Sequence, residues 1–286
     1  LDPSLLLEAA RKAARRGGEA AVKAIREGVG SSVVGRGEGG DYSLRGDVES
    51  EKMILDSLLE DLGTIRIVSE EMGERRHNGE AEFTAIIDPI DGSRNYKRGL
   101  PFFAVSVAIA RGETLEDVVA AAIYAPLLNL EFTALKGKGA FLNGNLIHVT
   151  THTTLKDGIV FVGSSPKAVF LPHTYTLNLV SRGAIVRSLG SASLELSFVA
   201  SGGADAYIDY WGTMRVIDIA AAYLIAREAG AWVKTRGSKN EKVALSLRER
   251  LLILASSTHQ LGAELHGLFK ETFGFNPEEI LLVKQP

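Results

Sequence analysis

Apolar residues recur at helical spacing in two stretches near the start of the chain. Residues 4–27 are dominated by Ala, Leu, Lys and Arg, all good helix formers, and Pro3-Ser4 offers a start. Gly17 and Gly18 weaken the middle of that helix. Over residues 48–62, Ile54, Leu55, Leu58, Leu59 and Leu62 fall at helical spacing, which predicts a second helix with Asp47 as its N-cap. Seven glycines between positions 28 and 46 separate the two and predict a mobile loop or a hairpin with a flexible tip.

Strand-like runs follow at 64–68, 83–87, 102–110, 118–124 and 130–135. Asn143-Gly144 between two short apolar runs predicts a tight hairpin. Residues 1–150 therefore read as an N-terminal α+β subdomain, two helices against an antiparallel sheet. Beyond about residue 150 strands and helices alternate, with strands at 159–163, 184–187, 204–208 and 251–255 and helices at 171–181, 193–201, 216–229 and 259–273. Residues 151–286 read as a C-terminal α/β subdomain.

Composition narrows the function classes. The 286 residues carry 32 basic and 35 acidic side chains, a formal charge of -3, and no cysteine. Disulfides, thiolate nucleophiles and cysteine-held metal centres are excluded. The near-neutral charge argues against a nucleic-acid partner. No apolar run is long enough to span a membrane, and the first residues lack the features of a signal peptide, so a cytoplasmic protein is expected. Scarce glutamine and absent cysteine are compatible with a thermophilic source.

One motif is a decoy. Gly35, Gly37 and Gly40 match a dinucleotide fingerprint, but that fingerprint needs a strand before it and a helix straight after it, and residues 41–44 do not start one convincingly. The run Asp88-Pro89-Ile90-Asp91-Gly92-Ser93 is more informative. An apolar strand leads into two carboxylates, Pro89 restrains the backbone between them, and Gly92 permits close approach of a ligand. Backbone N–H groups at Gly92, Ser93 and Arg94 could cradle a phosphate beside oxygen ligands suited to magnesium. From spacing alone a site and an ordinary Asp-rich turn stand even. Glu70-Glu71 reads singly as a solvated acidic pair, and Asp47 and Asp218 as residues serving helix starts.

Taken together, Asp88 to Tyr96, the upstream Glu70-Glu71, Lys136 to Gly144, Gly202 to Tyr207 and Asp218-Ile219-Ala220-Ala221 resemble the inositol monophosphatase family. The order of the motifs matches over about residues 5–260, and archaeal-type members with dual inositol monophosphatase and fructose-1,6-bisphosphatase activity show similar variation. One departure is Ile217, where many members have Trp directly before the Asp. The resemblance implies a layered α/β/α/β/α sandwich and a metal-dependent phosphomonoesterase acting through a magnesium-bound water. It implies Glu70, Asp88, the Ile90 carbonyl, Asp91 and Asp218 as ligands of two or three magnesium ions, with manganese as a substitute. It further implies that Asp47 accepts a hydrogen bond from Ser93, whose hydroxyl helps to activate the water, and that Gly92 and Ser93 hold the phosphate.

Substrate contacts implied in the same way are Asp91, Gly92, Ser93, Arg94, Gly190, Ser191, Ala192, Asp209 and Arg215, with the neighbourhood of Ser164-Ser165. Arg187, Arg215, Lys97 and Arg98 are candidates for a second phosphate, each also readable as a surface charge. The glycine-rich loop would close over the site and carry Arg36 and Glu38. The favoured substrates are inositol 1-phosphate and fructose 1,6-bisphosphate. The alternatives are a 3'-phosphoadenosine 5'-phosphate or NADP(H) phosphatase, marked by stacking on Tyr210 or Trp211, and a weakly catalytic metal- and phosphate-binding regulatory protein. A homodimer is expected by analogy, with a tetramer as the other form.

Overall fold

Asp2 opens the first helix by accepting the Ser4 N–H on its side chain, and Pro3 takes the first helical position, where a missing N–H costs nothing. This computed structural model describes residues 2–40, 42–164, 168, 170–238 and 241–283, with the side chains of 282 and 283 left aside. Helix α1 (Pro3–Arg26) buries its Ala- and Gly-rich face, and a side chain at Gly17 would stand 2.6 Å from Ile54 of the next helix. Gly17 thus serves close helix packing, whereas a side chain at Gly18 would stand 2.7 Å from the Tyr124 ring.

The glycine-rich stretch is a hairpin, β1 (Val33–Arg36) with β2 (Tyr42–Leu44), so the apparent dinucleotide fingerprint leads into a strand. Helix α2 (Arg45–Leu62) follows. It starts earlier than its apolar spacing suggests, which moves Asp47 from the expected N-cap to the third helical position. There its carboxylate reaches back to the Leu44 N–H at 2.9 Å.

Eight strands form the first sheet: β3 (Ile65–Ser69), β4 (Gly73–His77), β5 (Thr84–Asp91) and, past the short helix α3 (Ser93–Arg98), β6 (Ala104–Ala110), β7 (Val118–Ala125), β8 (Leu130–Leu135), β9 (Ala140–Leu142) and β10 (Asn145–Ile147). Their spatial order is β10-β9-β8-β7-β6-β5-β3-β4. The sheet is mixed rather than antiparallel, because β3 and β5 run parallel. Asn143 and Gly144 both take positive φ, as the expected hairpin turn requires.

The second half comprises β11 (Ile159–Val162), α4 (Phe170–Ser181), β12 (Ile185–Arg187), α5 (Ala192–Ala200), β13 (Ala206–Met214), α6 (Val216–Glu228), β14 (Trp232–Gly237), β15 (Leu251–Ser256), α7 (His259–Phe273) and α8 (Glu278–Val283). Its five strands lie in the order β12-β11-β13-β15-β14.

Side-chain alternation along the strands builds the layers. Val105, Val107 and Ile109 of β6 pack with α1 and α2, whereas Ala104 and Ala108 face the cluster that holds α5 and α6. Phe161, Tyr207 and Ile253 of the second sheet close on that cluster from the other side. The opposite face, including Val160, Ile208 and Leu254, packs with α4, α7 and α8. The result is the layered α/β/α/β/α sandwich expected from the resemblance. Among the described residues no helix is long and apolar enough to cross a membrane.

Candidate active site

Strand β5 ends in a bulge that makes two acids neighbours. Asp88 pairs with Ser106 and Asp91 with Ala104, so two residues, Pro89 and Ile90, face one across the ladder. Ser106 and Ala104 share a face, hence Asp88 and Asp91, three apart in sequence, share it too. Both are buried, as is Ile90, whose N–H donates to Asp88 Oδ1 at 3.1 Å.

Asp91 joins the end of β5 to the start of α5. Its Oδ2 accepts from Ser191 Oγ at 2.7 Å, from the Ser193 N–H at 2.7 Å and from Ser193 Oγ at 2.5 Å, all at the start of α5. Burial raises the Asp91 carboxyl to about 6 against the pull of these donors. Burial also lifts Asp88 well above the carboxylate range, and the charges of Glu70, Asp91 and Asp218 lift it further.

Glu70 lies in the turn between β3 and β4, and Asp218 is the third residue of α6. Between them sits Arg215, donating to Glu70 Oε1 at 2.8 Å and to Asp218 Oδ1 at 3.0 Å. Burial pushes Glu70 up to about 7, with Arg215 opposing the shift. Burial works against the Arg215 charge, but Asp218 and Glu70 outweigh it and leave the guanidinium more firmly protonated than usual.

A cavity of about 1510 Å³ opens beside Asp91 and Asp218, while Asp88 and Glu70 lie outside its lining. Asp91, Gly92, Ser93, Arg94, Gly190, Ser191, Ala192, Asp209, Arg215 and Asp218 all line it, as do Ser164 and Lys97. Ser165 lies outside the described residues. Arg187 is exposed on the edge strand β12 and donates to the Val186 carbonyl. Val33, Gly39, Tyr42 and Leu44 bring the hairpin to the cavity wall.

Two expectations change. Among the described residues Asp47 makes no hydrogen bond with Ser93; its bond goes to Leu44, because the earlier start of α2 turns the carboxylate back on the helix end. Burial raises this carboxyl to about 8. The rings of Tyr210 and Trp211 are buried among Tyr175, Phe269 and His266, so neither offers a face for a nucleotide base.

Three contributors escape a sequence reading. Glu195 is buried in α5 and accepts from the Leu189 N–H and, at 3.2 Å, from the Gly190 N–H, tying down the loop before Ser191. Burial raises it to about 8. The available signal is a lone charged residue inside a helix of apolar residues and serines. Arg248 and Arg250 reach the cavity from the segment before β15 and carry no local motif.

The donor set suits a hard cation. All four side chains are carboxylates, and their mutual repulsion at Asp88 is what a divalent ion relieves. As they stand, no three acidic or histidine side chains among the described residues form a metal cage. Arg215 occupies the space between two of them.

The chain matches the profile of the Inositol monophosphatase family over residues 2–272. It belongs to that family. It is 34% identical to the fructose-1,6-bisphosphatase/inositol-1-monophosphatase of Thermococcus kodakarensis over 80% of this chain and 83% of that protein. It is 36% identical to a protein named Nus factor SuhB from Xylella fastidiosa, over 68% of each. The inositol monophosphatase of Anabaena (Nostoc) sp. PCC 7120 superposes with a TM-score of 0.76 over 95% of this chain and 98% of that one, at 22% identity, and shares its fold. The protein is a phosphoric monoester hydrolase of this family.

Proposed function

We propose that the enzyme hydrolyses inositol 1-phosphate and fructose 1,6-bisphosphate with magnesium as its ion, manganese substituting. The observation that carries this reading is Asp88, buried and pressed by the charges of Glu70, Asp91 and Asp218, of which Asp91 and Asp218 line a cavity with Gly92 and Ser93. Glu70, Asp88, Asp91, Asp218 and the Ile90 carbonyl would hold two or three ions. Bound divalent cations supply charge neutralisation and acidify water.

The residues of the chain do the rest. The turn at Gly92-Ser93 receives the phosphate, and a side chain at Gly92 would stand 2.8 Å from the Phe102 carbonyl, so only glycine lets the chain pass there. Ser93 directs a hydrogen bond at the attacking water. Asp47, raised by burial and by the charges of Glu71, Glu70 and Glu51, would hold a proton at the start of α2, beside the Leu44 N–H. Gly190, Ser191, Ala192 and Asp209 orient the hydroxyls of the ring. Arg94, Lys97, Arg248 and Arg250 supply cations for a second phosphate.

The site lies at the seam of two subdomains, 1–150 and 151–286, in a homodimer or tetramer of a cytoplasmic protein. Burial of Tyr210 and Trp211 speaks against a nucleotide phosphatase. A phosphate-release panel with magnesium tests the reading. Inositol 1-phosphate and fructose 1,6-bisphosphate should outpace 3'-phosphoadenosine 5'-phosphate and NADP by at least tenfold in kcat/KM; the reverse order would overturn it.

A further inference from the structure

Arg215 stands where a cation is expected. Its Nη1 lies 2.8 Å from Glu70 Oε1, and its Nη2 and Nε lie 3.0 and 3.3 Å from Asp218 Oδ1. The fold builds this placement from two directions. Residue 215 follows β13 directly and caps α6, its own N–H donating to Asp218 Oδ2 at 2.8 Å. Glu70 arrives from the other sheet, so the guanidinium bridges the two sheets. The hairpin tip lies over the pair. The Gly39 N–H donates to the Glu70 carbonyl at 2.9 Å, and a side chain at residue 39 would stand 2.9 Å from Arg215 Nη1.

We propose that Arg215 is a resident counter-cation that competes with a divalent ion for Glu70 and Asp218, and that it hands over to the phosphate of the substrate when the ion loads. The inference rests on Glu70 and Asp218 being metal ligands. A guanidinium fork satisfies two carboxylates in an otherwise repulsive cluster. A divalent ion on the same oxygens meets both the competitor and its positive charge. Arg215 already lines the cavity, so the group that leaves Glu70 and Asp218 enters the space where a phosphate binds. Ion and phosphate binding are therefore coupled, each tightening the other.

The test is a manganese titration of the metal-free protein, followed by calorimetry and by the electron paramagnetic resonance of free manganese, with and without inorganic phosphate. Wild type should bind its weakest ion more tightly when phosphate is present. Arg215→Gln should bind that ion about tenfold more tightly without phosphate, and phosphate should add little further. Arg215→Lys keeps the charge but not the fork and should fall between them; it decides the matter if the Gln variant fails to fold. Unchanged or weaker manganese binding in a folded variant overturns the proposal. If wild type binds no manganese at all, the ligand assignment falls first, which separates the two failures.

Discussion

Ser193 donates twice to one oxygen of Asp91, through its backbone N–H at 2.7 Å and its hydroxyl at 2.5 Å, across 102 residues of sequence. The pair ties the end of β5 to the start of α5, so an acid of the proposed metal set is positioned by the other half of the chain. Ser193→Ala should keep the backbone bond and lose the other. The expected cost is about 2 kcal/mol of stability, typical of a hydrogen bond to a charged group. Chemical denaturation of the two proteins measures it, and a difference near zero would show that the hydroxyl bond contributes nothing.

Asp88→Asn should reduce hydrolysis by at least a thousandfold even at saturating magnesium. Asp88 lies among Glu70, Asp91 and Asp218 and is the acid whose charge the others oppose. An amide keeps the shape and removes the charge that a metal ligand would supply. Turnover within tenfold of wild type would reject Asp88 as a metal ligand.

Glu195 predicts a pH dependence. Burial raises this carboxyl from its ordinary 4.5 to about 8 in the folded protein. As pH rises through this window the unfolded chain gives up the proton while the folded one keeps it. Stability from this group is complete below about 4.5, falls on the order of 1 kcal/mol per pH unit, and stops changing above about 8. Glu195→Gln should flatten that part of the Tm-against-pH profile. An equally steep slope in the variant would assign the effect elsewhere.

Gly46→Ala should destabilise the protein by about 1–3 kcal/mol, the usual cost of overpacking. A methyl group there would stand 2.1 Å from the Tyr96 hydroxyl, which is buried and donates to the Ala21 carbonyl at 2.9 Å. The ring carbons Cζ and Cε1 of Tyr96 would stand at 2.5 and 2.7 Å as well, so Tyr96→Ala rather than Tyr96→Phe removes the obstruction, and the double variant should lose less than the two single losses summed. Strict additivity in a double-mutant cycle would rule out the clash.

Much of the fold was legible because it rests on local rules. The spacing of Ile54, Leu55 and Leu58, the turn at Asn143-Gly144 and the span His259–Phe273 each carry their own signal. Strand β4 was not legible, since Gly73–His77 is polar and pairs only at the sheet edge. Strand β14 was missed for a similar reason: Trp232–Gly237 contains Lys234 and Arg236 and lies at the edge of the second sheet. Asp47 reads as the helix start because the residues before it, Arg45-Gly46, carry no apolar periodicity, although they are helical.

The sequence by itself determined the chemistry available: carboxylates and no thiolate, a glycine turn after a buried strand, and motifs whose order marks the family. Those features depend on residues within a few positions of one another. Only the tertiary structure decided which groups meet. Arg215 reads in sequence as a substrate cation, yet it lies between Glu70 and Asp218, 145 residues from the first of them. Trp211 reads as a candidate stacking platform only for the alternative nucleotide phosphatase, and the second sheet turns it into the core against Tyr175 and Phe269. Such pairings follow from how two sheets stack around α5 and α6, and no local periodicity encodes that distance.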